Sequence, residues 1–195
     1  MNITVTYQES YSRKDLLLRS FFGVFYIILP HAFLMWFALI WSSITTFLAW
    51  WIILFTGKYP RSFWEFNLGL AKWNLRLSAV INNLVDGYPN FWVNENNNNE
   101  ISNIELEYPE TSNRSSVLLR GLFGIIYVFI PHIIALLFRS IASNVLMFLA
   151  WWVVLFTGRY PQSWHEFNVG TLRWSTRVSL YMNYLTDEYP PFSGK

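Results

Sequence analysis

Few side chains in this sequence could do chemistry inside its apolar stretches, and the first candidates are His31 and His132. Each follows a proline, at Pro30 and Pro131, and each stands in a long run of hydrophobic residues. An ionisable group at such a position marks a functional site by default. Two imidazoles brought face to face could ligate haem iron or another metal. The plainer expectation is that each histidine bonds a carbonyl freed by its proline. Glu65 and Glu166 invite comparison with a carboxylate pair, but each lies one turn into an expected helix, where an acid favours the N-terminal dipole. Arg76 and Arg177 are expected to pair with Asp86 and Asp187 as a clasp, or to hold lipid headgroups. Arg139 stands alone, where the first half has Ala38; it is expected to snorkel to water or to grip a partner or an anionic lipid. With Trp73 and Trp174, these arginines form the candidate lipid or partner contact. No catalytic triad, Walker spacing or thiolate metal motif is present, and cysteine is absent altogether.

The elements that must position these residues come from a duplication. When the chain is slid against itself so that His31 meets His132, about forty pairs are identical without a gap. The expected organisation is a first repeat at 1–93, an asparagine-rich linker at 94–101 and a second repeat at 102–195. Each copy opens with alternating apolar residues, Ile3, Val5 and Tyr7 or Ile104, Leu106 and Tyr108, which reads as a short strand. The two strands could pair in one small sheet.

Only 13% of residues are charged and 53% are hydrophobic, and no Asp, Glu, Lys or Arg lies between Phe21 and Gly57. That stretch belongs in lipid. The apolar run Leu16 to Phe55 is about twice the length of one spanning helix, so a hairpin is expected. Its turn is placed at Trp41-Ser42-Ser43, and near Arg139 to Asn144 in the second copy. A re-entrant hairpin is the alternative to two spans. Pro30 and Pro131 should kink the first helix of each. Gly57 and Gly158 look like helix C-caps, with Tyr59-Pro60 and Tyr160-Pro161 opening the next helix. Arg61 to Leu84 and Trp164 to Leu185 then carry an apolar residue every three or four positions, as an amphipathic interfacial helix does.

The expected fold is thus a mainly α membrane protein with about four membrane helices in two tandem modules. Basic residues flank the apolar runs, which puts both termini in the cytoplasm under the positive-inside rule. Met1 to Tyr11 does not read as a cleavable leader. A net charge of +2 without a basic stripe argues against nucleic acid.

The blocks Leu54 to Pro60 and Leu155 to Pro161, together with Glu65-Phe66-Asn67, Glu166-Phe167-Asn168, Trp73 and Trp174, resemble an uncharacterised bacterial membrane-protein family, domain of unknown function 4389. The closing segment Thr186 to Phe192 extends the likeness, while its first-half counterpart departs to Val85-Asp86-Gly87-Tyr88-Pro89-Asn90-Phe91. The resemblance implies a bacterial inner-membrane protein and supplies no catalytic residues or cofactor. The function expected on these grounds is a non-enzymatic scaffold or accessory subunit that packs on lipid and on partner membrane subunits. A transporter or channel with a site near the pseudo-two-fold axis is the first alternative. A His-ligated haem or lipid-modifying enzyme is the second.

Overall fold

The computed structural model describes residues 1–91 and 102–195, so the expected linker at 94–101 lies wholly outside the described residues. The chain is mostly helical. A strand β1 (Asn2–Val5) leads to a 44-residue helix α1 (Arg13–Thr56) and a second helix α2 (Arg61–Ile81). The order then recurs with β2 (Ser102–Glu105), a 44-residue α3 (Arg114–Thr157) and α4 (Gln162–Met182).

Local chemistry accounts for these bounds. Ser12 and Asn113 cap the long helices, their side chains accepting from Asp15 N and Ser116 N at 3.2 and 3.1 Å. Gly57 and Gly158 end them with φ of 75° and 73°, a left-handed conformation that costs glycine nothing. Pro60 and Pro161 stand at the N-caps of α2 and α4.

The expected hairpin is not there. Helix α1 runs unbroken through Trp41-Ser42-Ser43, and α3 through Arg139 to Asn144. Of the side chains that marked the turn, Ser43 bonds back onto the helix, its Oγ donating to Leu39 O at 2.9 Å, and Ser42 Oγ donates across to Asn67 Oδ1 at 2.5 Å. No Gly or Pro stands there to open a turn. In place of the four membrane helices expected, two among the described residues, α1 and α3, are long and apolar enough to cross a membrane.

Pro30 and Pro131 sit just past a single π turn, at Val24–Ile28 and Ile125–Phe129. Proline has no N–H to offer the carbonyl four residues back. That carbonyl, on Tyr26 or Tyr127, accepts instead from Tyr88 OH at 3.2 Å or Tyr189 OH at 3.3 Å. The histidines therefore do not serve the freed carbonyls, contrary to expectation.

Strands β1 and β2 pair antiparallel, with Ile3 opposite Ile104. Both isoleucines point into a core with Ala49, Ile53, Trp64, Val117 and Leu180, while Asn2, Thr4, Asn103 and Glu105 face outward. Helices α2 and α4 fold back along α1 and α3 and touch each other beneath the sheet. They bury more than the single stripe expected of them: Trp64, Leu68 and Leu75 are buried as well as Leu70, Trp73 and Val80. The reason is that each meets a long helix on one side and the other half on the other.

Candidate functional site

The histidines are walled in, each by its own half. His31 and His132 are both 0% exposed. Trp73 Nε1 donates to His31 Nδ1 at 2.8 Å, and Trp174 Nε1 to His132 Nδ1 at 2.8 Å. An indole N–H can only donate, so Nδ1 carries a lone pair and the ring proton sits on Nε2. Phe91 stacks on His31 with centroids 4.1 Å apart and planes 10° apart, and Phe192 covers His132 at 3.9 Å and 9°. Tyr88 and Tyr189 close a further side at 5.5 Å. The closing segments of the two halves thus act as lids on neutral imidazoles. No ring contact joins the two histidines among the described residues. Trp73 and Trp174 are buried in these cages and not offered to lipid.

The expected arginine–aspartate clasp exists with different arginines. Arg19 reaches Asp86 at 2.9 Å and Val85 O at 2.7 Å, and Asp86 also accepts from Ser12 N at 2.6 Å. In the second half Arg120 pairs with Asp187 and donates to Tyr181 O and Thr186 O at 2.8 and 2.7 Å. Its guanidinium also lies 4.2 Å from the Tyr181 ring centroid. Asp187 accepts from Asn113 N at 2.7 Å. The signal in the sequence was an arginine retained at the same place in both otherwise apolar helices. Arg76 is buried instead, its Nε and Nη1 without a hydrogen-bond partner among the described residues. Burial pulls its pKa down from the ordinary value. Arg177 bonds the Lys195 carbonyl.

A third constellation was missed in the sequence: a polar network beside a cavity, present in both halves. Asn67, buried, accepts from Ser42 Oγ at 2.5 Å and donates to Tyr59 OH and Thr45 Oγ1, both at 3.2 Å. Asn168 repeats this with Ser143 and with Tyr160 OH at 2.9 Å. Burial pushes both tyrosine hydroxyls up to about 12, so both phenols are neutral. Next to the first network lies a cavity of about 700 Å³, into which Ser42, Asn67, Asn74, Thr176 and Asn183 project. Its counterpart beside Ser143 and Asn168 holds about 350 Å³. Met147 stands there in place of Thr46, and Leu172 in place of Ala71.

Arg139 is neither in a turn nor snorkelling. It ties α3 to α4, donating to Thr171 Oγ1 at 3.0 Å and Phe167 O at 3.1 Å, with its guanidinium 4.2 Å from the Phe167 ring centroid. Thr171 replaces Leu70 of the first half, where Ala38 and Leu70 pack together with Met35. Glu65 is exposed and pairs with Arg61 at 2.9 Å, and Glu166 accepts from Gln162 at 3.2 Å; the two carboxylates stay on separate helix surfaces. Among the described residues no group of three His, Asp or Glu could hold a metal ion.

Residues 114–194 match the domain of unknown function DUF4389. That match spans α3, its π turn, α4 and the closing segment over His132, and supports the DUF4389 family. No curated protein and no solved structure matches the chain. The DUF4389 segment therefore carries the Arg120–Asp187 clasp, the His132 cage, Arg139 and the smaller cavity in one piece.

Proposed function

We propose that the chain is a tandem pair of DUF4389 modules, 1–93 and 102–195, serving as a non-enzymatic scaffold or accessory subunit in a bacterial inner membrane. Both termini lie on the cytoplasmic side. The observation that carries the reading is the apolar surface of the long helices. Only 22% and 17% of their most apolar windows is buried, and Phe25, Phe33, Phe47 and Phe55 are each more than half exposed. A surface of that size needs lipid or the helices of a partner to cover it. Further support comes from what the polar groups do: His31, His132, Arg19, Arg120 and Arg139 are each engaged by a neighbour that holds the fold together. The uncharged cavity beside Asn67 is the place where hydroxyl and amide groups stand ready to meet a polar group of a lipid or a partner.

The test is extraction of the full chain in mild detergent followed by identification of everything that travels with it. A defined membrane subunit or tightly held lipid is the expected companion. A stable solitary monomer carrying neither would overturn the proposal.

A further inference from the structure

The two halves exchange contacts reciprocally. Tyr11 N donates to Gly158 O and Ser112 N to Gly57 O, both at 2.9 Å. Tyr7 OH donates to Tyr160 O and Tyr108 OH to Tyr59 O. Trp64 bonds Leu185 O and His165 bonds Leu84 O, each at 3.1 Å. Such mutual exchange is the mark of a two-fold relation, here within one chain. Its axis passes through the Ile3–Ile104 pair, the one strand pairing that the exchange of halves leaves unchanged.

The same symmetry fixes the direction of the long helices. Leu16 near the start of α1 shares a core with Ala150 and Val154 near the end of α3. Val117 near the start of α3 shares one with Ala49 and Ile53 near the end of α1. The helices run antiparallel, and a two-fold axis that reverses a direction must stand perpendicular to it. The axis therefore crosses the helix pair midway along its length, and the sheet sits on that axis.

From this we infer that α1 and α3 do not cross the bilayer but lie flat within one leaflet, with the axis along the membrane normal and the sheet facing the cytoplasm. The inference rests on the membrane reading above and goes beyond it.

Three observations decide against a crossing. If the helices stood upright, the axis would lie in the membrane plane and the sheet would sit at the depth of the bilayer centre. Two strands with no third strand paired to either edge among the described residues, and the outward Asn103 and Glu105, would then face hydrocarbon. Each unsatisfied backbone group there costs several kcal/mol, and open sheet edges do not occur in lipid. Second, the charges are balanced end for end. Exposed Arg13, Lys14 and Arg159 gather at one end of the helix pair, and exposed Arg114, Lys58 and Arg61 at the other. An upright pair would present equal basic flanks to both faces, against the positive-inside rule, whereas a flat pair keeps all six on one face. Third, the exposed apolar face of α1 runs without a break from Phe21 to Phe55, roughly 50 Å at 1.5 Å per residue, against about 30 Å of hydrocarbon. A helix about 10–12 Å across fits within the roughly 15 Å of one leaflet. The lipid that suits this surface has acyl chains under the phenylalanine face and anionic headgroups around the basic ends.

The test uses the natural absence of cysteine. Lys14→Cys and Lys58→Cys, both at exposed sites, are made separately in the full chain and treated with a membrane-impermeant maleimide in right-side-out and inverted vesicles. Both are expected to label in inverted vesicles and to stay protected in right-side-out ones. Labelling of the two from opposite faces would overturn the inference while leaving the membrane reading standing. A chain that fails to float with vesicles of phosphatidylcholine and phosphatidylglycerol would instead remove the membrane reading itself. As a second measurement, bimane attached at Phe25→Cys, Phe33→Cys and Phe47→Cys should be quenched by spin-labelled lipids at one shared depth. A gradient deepest at Phe33 would again mean a crossing.

Discussion

The two halves share a backbone plan yet spend the space between their helices differently. In the first, Thr46 and Ala71 leave a cavity of about 700 Å³ around the Asn67 network, and Ala38 packs against Leu70 in an apolar cluster. In the second, Met147 and Leu172 take up that room and leave about 350 Å³, while Arg139 and Thr171 replace the apolar contact with a hydrogen bond. The histidine cages and the glycine caps are the same on both sides, and each half closes an arginine–aspartate clasp, the second with more bonds than the first. What both copies keep holds the fold. What only one copy has is where a specific contact can develop without cost to the other.

The comparison is broken most forcefully at the clasps. Arg120→Ala should cost about 3–5 kcal/mol, because losing this fully buried cation leaves Asp187 with only the Asn113 N–H and deprives two carbonyls of their charged donor. Arg19→Ala should cost less, since Arg19 serves one carbonyl and lacks the ring beneath it. Unfolding midpoints in detergent check this, and equal losses would show that the extra bonds of Arg120 add nothing.

A smaller effect is expected from making the first half imitate the second. Thr46→Met with Ala71→Leu should fill the larger cavity and raise stability by about 0.5–2 kcal/mol, as cavity-filling changes commonly do. Lipid or detergent held beside Asn67 should be lost at the same time, as read by mass spectrometry of the purified protein. Destabilisation would mean that the space has no room for the added groups.

The smallest effect is confined to a pH window. Burial lowers the pKa of His165 below its ordinary 6.5, so the unfolded chain takes up the proton first. Stability contributed by the neutral ring is full above that value and is lost as pH falls below it toward the folded pKa. The first half has Trp64 at the matching place, and both side chains bond a carbonyl in the turn after the opposite half's helix. His165→Trp should therefore flatten the stability profile below pH 6.5 relative to the unchanged chain. An unchanged slope, measured by chemical unfolding across that range, would assign it to other groups.

Several of these features were legible in the residues. The alternation around Ile3 and Ile104 implied strands, and Gly57 and Gly158 before a tyrosine-proline pair implied helix ends, because both signals are local. The hairpin was misread because a run of about forty apolar residues exceeds what one spanning helix needs, and because Ser42 and Ser43 look like turn residues until their bonds are seen. The partners of Asp86 and Asp187 were misassigned for a related reason: Arg19 and Arg120 are distant along the chain, and only the return of the closing segments to the starts of the long helices brings them together.

By itself, the order of residues determined the two apolar stretches, the caps and the absence of thiol chemistry, since each depends on composition or on neighbours a few positions apart. Tertiary structure decided that the halves interlock head to tail, that the histidines are shut in separate cages and that one cavity is twice the size of the other. Those outcomes depend on which surfaces meet after the chain has turned back on itself. Side chains as alike as Arg19 and Arg76 acquire opposite roles only when one finds an aspartate and the other does not.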